Sequence, residues 1–431
     1  MRSIFLILLF VSSQFVKVWS QNIHQIQETE VLVIGGTASG ICAGLQSSRL
    51  GVKTIIAEST PWLGGMLTAA GVSAFDGNHN MPAGIFGEFR ARLYQHYGGS
   101  NKVSTGWVSN TLFEPHIGDS IFKAMAKNEK YLQINFHYEL LSVKKEGNTI
   151  SGVLFYDNQL QKNILIKAKR YIDATELGDV LAAANIPYDL GMESNEVTKE
   201  QVNKYGANDI VQDITYVAVL KDYGTPQPLV ERPKNYDSLE FDASNLSFYK
   251  DSTRTKPPVD AIKMLNYGKL PGNKYMLNWP IYGNDIYLNV VEKTTKERAA
   301  LLEIAKQQTL RFVYFIQKDL GFRNLALADD EFKTKDKLAY YPYYRESRRV
   351  KGLSRMVVQH IATPFETERP LYRTGIAVGD YPIDHHHKKN PAAPQHLDFF
   401  SVPSFNIPIS VLIPENHDNI IIAEKSISVS N

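Results

Sequence analysis

The sequence predicts an α/β chain built on a parallel sheet, with an antiparallel meander and an inserted α+β domain. Three observations predict it. The apolar run Val31-Leu32-Val33-Ile34 enters a glycine turn, continues as a helical stretch over Ile41–Leu50, and is followed by a second apolar run, Val52–Ala57, ending on Glu58. Three strand-like runs, Glu139–Lys145, Thr149–Tyr156 and Asn163–Ala168, follow one another, the first pair joined through Gly147-Asn148, before Tyr171-Ile172-Asp173-Ala174 returns to the sheet. Residues 191–370 then change character, with prolines, aromatics and polar residues dominating 222–280.

Residues 1–20 have the make-up of a secretory signal: Arg2 supplies the positive start, Ile4–Val11 the short apolar core, and Val18-Trp19-Ser20 the cleavage site. The expected mature protein is secreted or periplasmic, and no later run is long and apolar enough to span a membrane. A net charge of +2 and 21% charged residues give no case for nucleic acid. The one cysteine, Cys42, rules out an intrachain disulfide or a cysteine metal site and is expected in the core. The expected partner is a small-molecule substrate, with no membrane contact after the signal is removed. The sequence sets no oligomeric state.

The glycine turn, Gly35-Gly36-Thr37-Ala38-Ser39-Gly40, carries the first chemistry. Gly35 lets the chain leave the strand sharply, and Gly40 lets the helix lie close to it. Free N–H groups of the helix, starting near Ala38, point toward a bound pyrophosphate. Glu58 stands where its carboxylate accepts hydrogen bonds from ribose hydroxyls and repels a 2′-phosphate. Strand, turn, helix, strand and acid together form the first half of a dinucleotide-binding unit, with Thr37 in place of the middle glycine.

The next stretch, Pro61-Trp62-Leu63-Gly64-Gly65-Met66-Leu67-Thr68, is rich in small and apolar residues and is placed to run past the distal half of such a ligand. Helices are expected over Gly84–Tyr97 and Asp119–Lys127, and a strand over Leu132–Phe136. In the insert, Asp213–Leu220, Asn278–Pro280 and Tyr287–Val290 read as sheet elements. Lys296–Leu320 reads as the longest helix, with an apolar stripe at Leu301, Ile304, Phe312, Phe315 and Ile316.

Val31–Gly40, Glu58, the Leu63–Thr68 loop and Ile172-Asp173-Ala174-Thr175-Glu176-Leu177-Gly178-Asp179 together resemble the FAD-dependent oxidoreductase family. Within it they are most similar to the exported bacterial branch, with LGGMLT-like and IDATGDGDLA-like segments. The resemblance implies an FAD/NAD(P)-binding Rossmann-like fold with FAD as cofactor. It implies FAD contacts at Gly35, Gly36, Thr37, Ala38, Ser39, Gly40, Glu58, Gly64, Gly65, Met66, Thr68, Ala174, Thr175, Gly178 and Asp179. Glu176-Leu177 departs from the family pattern. The expected division is a signal over 1–20, a first cofactor-domain part over 21–190, a substrate domain over 191–370 and a return to the cofactor domain over 371–431. Similar proteins carry one more helix at the end, so the cofactor domain is expected to be incomplete.

Tyr343-Tyr344-Arg345-Glu346-Ser347-Arg348-Arg349 resembles a family landmark, and its arginines are candidates for holding an anionic substrate or the flavin edge. Arg345, Arg348 and His385 are the candidate catalytic residues. His385-His386-His387 is not expected to hold a metal, because neighbours on an extended segment point to opposite faces. His116 and His396 have no assigned partner. Ser404–Pro414 resembles a further family segment with Ser410 where an arginine is expected, and Ile420–Ala423 is expected as a strand buried on both faces. The implied activity is hydride abstraction by FAD from a small substrate, carbohydrates among the candidates. The alternative is a flavin-scaffold carbohydrate lyase or glycan-binding protein.

Overall fold

The computed structural model describes residues 22–77, 79–81, 83–200, 206–366, 371–387 and 399–431; the expected signal, 1–20, and His396 lie outside them. The central sheet contains β1 (Gln25–Ile34), β2 (Thr54–Glu58), β3 (Leu132–Phe136), β4 (Tyr138–Glu146), β5 (Thr149–Asp157), β6 (Lys162–Asp173) and β7 (Ile420–Ile422). Its order is β3-β2-β1-β6-β5-β4, with β7 also paired to β6. β3, β2, β1, β6 and β7 are parallel, while β4, β5 and β6 form the antiparallel meander.

β6 joins the two parts. Asn163–Ala168 and Tyr171–Ala174 read as separate strands in sequence, but they lie on one continuous strand from Lys162 to Asp173. Its first half pairs with β5, and Tyr171–Asp173 pairs with Ile420–Ile422. β1 runs beside both halves, from Gln25 opposite Ile164 to Ile34 opposite Asp173, which holds the chain straight between them.

The unbroken apolar character of β1 and β2 follows from burial on both faces. Leu32, Ile34 and Ile55 pack with Val153, Phe155 and Ile166 of the meander. Val33 and Ile56 pack with Ile41, Phe89, Phe122 and Met125 on the other side. Those last residues belong to α1 (Ala38–Arg49), α2 (Gly84–Tyr97) and α3 (Pro115–Lys127). α3 starts before the expected Asp119 because Pro115 occupies its first turn, where no N–H is needed. Cys42 is only partly covered, and burial pushes its thiol up to about 11. β7 corrects its expectation: Ile420 and Ile422 are buried, whereas Ile421 is 38% exposed, because one face of this strand is uncovered among the described residues.

Between α4 (Asp179–Ala183) and β7 the chain builds a second core. A sheet of Lys269–Leu270, Lys274–Leu277, Ala218–Asp222 and Leu325–Leu327 is antiparallel throughout. A smaller sheet places Ile214–Thr215 between Asp285–Ile286 and Tyr343–Tyr344. The expected strand over Asp213–Leu220 is therefore split, as its two halves join different sheets. At the break, the Tyr216 carbonyl accepts from Thr309 Oγ1 at 2.6 Å and Asn284 Nδ2 at 3.2 Å. Asn278–Pro280 and Tyr287–Val290 are not strands. The Asn284 side chain replaces a ladder there, accepting from Trp279 N at 3.0 Å and donating to Leu277 O at 2.9 Å. The long helix, α5 (Thr295–Lys318), is opened by a Thr294/Glu297 capping box. Phe312, Phe315 and Ile316 enter the core as expected, but Ile304 is 48% exposed, because the buried face runs through Ala305, Gln308 and Thr309 instead.

Candidate active site

The turn after β1 is built by close backbone approach. Gly35 has φ +100°, and a Cβ there would lie 2.3 Å from Ala174 O. A Cβ on Gly40 would lie 2.0 Å from Gly35 O. Neither position admits a larger residue without moving main chain. Thr37 explains its departure from glycine: its Oγ1 accepts from Gly40 N at 3.2 Å, capping α1, and donates to Ala174 O at 2.8 Å. Ala174 N in turn donates to Ile34 O at 2.8 Å, so both glycine-turn and return-strand motifs lie at the same sheet edge.

Glu58 closes this turn from below. Its carboxylate accepts from Gly36 N at 2.6 Å and Thr60 N at 2.7 Å. Burial pushes its pKa up, against the lowering effect of those N–H groups. The Gly64-Gly65 loop is tied to the same turn, Gly64 N donating to Gly36 O at 2.7 Å. Met66 lies on the short turn that follows, half-buried, and Thr68 is buried with its hydroxyl on Leu63 O.

Thr175 and Asp179 belong to the turn after β6. Asp173 Oδ1 accepts from Thr175 N at 3.0 Å and Thr175 Oγ1 at 2.7 Å, and burial pushes Asp173 up to about 6. Gly178, at φ +63°, begins α4, and the Asp179 N–H donates to Thr175 Oγ1 at 2.7 Å. A cleft of about 700 Å³ brings together Gly35, Thr37, Glu58, Thr175, Glu176 and Asp179 with Tyr138–Leu141 at one end and Tyr341 and Tyr344 on its wall.

Glu424 is the residue that sequence reasoning missed. Ser39 N donates to its Oε1 at 3.0 Å, so a carboxylate sits on the N-terminus of α1. Burial opposes its charge, but Lys425 and the Ser39 N–H hold its pKa below the usual range. Lys425 also pairs with Glu176, which accepts from Tyr341 OH at 3.2 Å. Glu176, the departure from the family pattern, is thereby held beside Gly65.

A second cavity, about 430 Å³, is reached along the same segment. Tyr341 and Tyr344 face the first cleft, while Tyr343 and Arg345 line the second. Arg345 lies 4.6 Å over the Tyr343 ring and pairs with Asp285 at 3.1 Å. Burial opposes the Asp285 charge, yet Arg345 and His386 hold it at about 2. His386 reaches Asp285 at 3.7 Å and Asp384 at 3.1 Å; burial opposes its protonation, and the two carboxylates raise its pKa.

The three arginines are all buried, and each is matched by carboxylates. Arg348 lines neither cavity. It holds Leu177 O at 2.8 Å, Asp179 at 3.1 Å and Glu292 at 2.8 Å, fastening the Thr175–Asp179 turn. Arg349 pairs with Glu346 and Glu193. These pairs leave no arginine clamp open for an anion. His385 lines the second cavity; its ring lies 5.1 Å from that of His387, while His386 turns to the carboxylates.

The model of the family described as FAD dependent oxidoreductase matches residues 30–431. The chain belongs to that family. FAD is the cofactor of this family, and the parallel-rich sheet with its glycine turn is the corresponding dinucleotide-binding fold. Among solved structures, this chain is similar to the p-nitrophenol 4-monooxygenase PnpA from Pseudomonas putida DLL-E4, at 11% identity over 77% of this chain and 70% of that one, with TM-score 0.34. It is also similar to the flavin-dependent monooxygenase PieE in complex with FAD and substrate, at 14% identity over 45% of this chain and 35% of that one, with TM-score 0.30. A third is the L-proline dehydrogenase from P. horikoshii, at 17% identity over 43% of this chain and 30% of that one, with TM-score 0.23. The chain thus spans about a third of the length of the last two. No curated protein matches it.

The residues present fit FAD. The Glu424 carboxylate is a stand-in anion on the Ser39 N–H, showing that negative charge is held at the opening of α1. Glu58 lines the cleft beside the turn, and Tyr138–Leu141 line the same cleft. No helix among the described residues is long and apolar enough to cross a membrane.

Proposed function

We propose that the protein is an exported FAD-dependent oxidoreductase that removes a hydride from a C–H bond next to oxygen or nitrogen in a small polar molecule. The observation that carries this reading is the pair of cavities that both draw lining residues from Tyr341–Arg345: one bordered by the dinucleotide turn, the other lined by aromatic and titratable side chains. Gly35, Gly36, Thr37, Ala38, Ser39 and Gly40 would hold the pyrophosphate, with Glu58 on the ribose. Gly64, Gly65, Met66 and Thr68 would lie along the flavin half, and Ala174, Thr175, Gly178 and Asp179 would close the cleft.

When bound, FAD supplies the hydride acceptor. The chain's part is to place the substrate carbon, exclude water and hold a proton. Tyr343 and Tyr267 form apolar walls for the substrate, and Asn278 and His385 offer polar contacts. Arg348 acts through Asp179, fixing the turn rather than touching substrate.

The test is a purified holoprotein. It should be yellow, with an equimolar flavin spectrum that bleaches anaerobically when a substrate alcohol or amine is added. A colourless protein that binds glycan would overturn this reading in favour of the lyase or glycan-binding alternative.

A further inference from the structure

The charges around the second cavity do not balance. Arg345 is matched by Asp285 at 3.1 Å, and His386 by Asp384 at 3.1 Å. Glu200 accepts from Val358 N at 2.7 Å and also from Ser430 Oγ. Asp76 lines the same cavity, and among the described residues no hydrogen-bond donor or cation pairs with it. Its nearest charged neighbours are acidic: Asp384 raises its pKa, and Asp380 lies beside Gly77. Tyr267, Tyr343 and Tyr381 also feel its charge, and all three line the cavity. Glu200 is satisfied by neutral donors, whereas Asp76 has neither donor nor cation; such a carboxylate within a tyrosine-walled cavity matches an organic cation and repels an anion.

We propose that this cavity binds a primary or secondary amine as its ammonium ion, and that the Asp76 carboxylate takes the N–H proton before the adjacent C–H hydride leaves. The inference rests on the oxidoreductase reading above. In the step, the ammonium N–H bond breaks and its proton goes to Asp76. The neutral amine's α C–H bond then breaks, and its electron pair leaves with the hydride to the flavin, which is reduced. The substrate departs as an iminium ion, which water hydrolyses to a carbonyl compound and the smaller amine or ammonia. Asp76 is suited to this exchange: it is open to the cavity, and the neighbouring protein and the Asp384 carboxylate push its pKa up to about 6, so it accepts a proton at neutral pH more readily than an ordinary aspartate.

The experiment uses FAD-loaded protein and matched probes: benzylamine and butylamine, benzyl alcohol and butanol, and benzoate. Binding is read from perturbation of the flavin absorbance, and turnover from anaerobic bleaching. At least one amine should bind about tenfold or more tighter than its alcohol, with benzoate weakest. Asp76→Asn should lose about tenfold of that amine affinity while keeping its alcohol affinity and its flavin content, which also reports that the variant is folded. Wild-type bleaching by the amine should rise as pH passes through about 6; Asp76→Asn should lack this limb and Asp76→Glu should retain one. The proposal is overturned if no amine binds, if alcohol or benzoate binds as tightly, or if Asp76→Asn binds amine like wild type. Bleaching by alcohols alone would overturn the amine assignment and leave the oxidoreductase reading standing. A protein that takes up no flavin would overturn both.

Discussion

The two cavities are shaped by different kinds of contact. The first cleft rests on main chain: glycines that admit no Cβ, a threonine capping a helix, and N–H groups from neighbouring turns. The second rests on side chains from separate segments: Arg345 on Asp285, His386 between Asp285 and its near neighbour Asp384, and Asp76, which has no partner among the described residues. Backbone sites need particular residues at particular local positions. Side-chain sites need only that charges meet and balance, which many sequences can satisfy. The first therefore tolerates almost no substitution at its glycines, whereas the second can change its preference through single charges.

The strongest challenge to the comparison is Gly40→Val. The added Cβ would sit 2.0 Å from Gly35 O, a main-chain atom that cannot turn aside. Flavin should be lost on purification, as read by the absorbance ratio of flavin to protein. Full occupancy in this variant would break the claim that close backbone approach builds the cleft.

Lys274→Met tests what happens when side-chain charge is left unbalanced. Lys274 joins the two halves of the molecule, meeting Glu114 at 2.7 Å, Asp330 at 3.0 Å and Glu331 at 2.7 Å, with His116 also 2.9 Å from Glu331. Removing the cation strands the buried Glu331 and half-buried Glu114 carboxylates and should cost about 3–5 kcal/mol in urea unfolding, at neutral pH. A loss below about 1 kcal/mol, the value of an exposed pair, would show that the cluster is solvated.

A smaller effect is expected at Asp285. Its folded pKa, about 2, lies below its ordinary value of 3.8, so its stabilising contribution is present above about pH 4 and disappears as pH falls toward 2. The contribution is about 2 kcal/mol. Asp285→Asn should flatten this part of the stability–pH curve; an unchanged acid limb would count against the Arg345 pair. The least effect belongs to Thr37. Thr37→Val removes the cap and should lower stability by about 1 kcal/mol, while Thr37→Ser should stay near wild type. Equal losses in both would mean that the methyl group, not the hydroxyl, matters.

The same contrast explains what was legible in sequence. Gly35, Gly40, Glu58 and the β1–α1–β2 order are local features, and short stretches display them. The meander was also readable, because alternation and the Gly147-Asn148 turn act between neighbours. Glu424 was not, since it meets Ser39 across 385 residues and no spacing announces that contact. The arginine-rich segment showed its charge but not its partners: Glu193, Asp285 and Glu292 are distant in sequence, and only the fold reveals that every guanidinium is already matched. Strand ends in the insert were missed for a related reason. Asn284 satisfies main-chain groups that would otherwise have continued a ladder, and a side chain's choice of partner leaves no periodic trace.

β6 carries a consequence for how the molecule is made. Its last residues, Tyr171–Asp173, are complete early in synthesis, but their parallel neighbour Ile420–Ile422 emerges only after the whole insert. At ordinary elongation speeds the wait is roughly tens of seconds. During that interval the central sheet has an unpaired border exposing main-chain donors and acceptors, a template for sticking to other chains. The nascent protein thus depends on slow, late closure by a distant strand, so conditions that speed translation or hold back collapse should alter its yield more than its final stability.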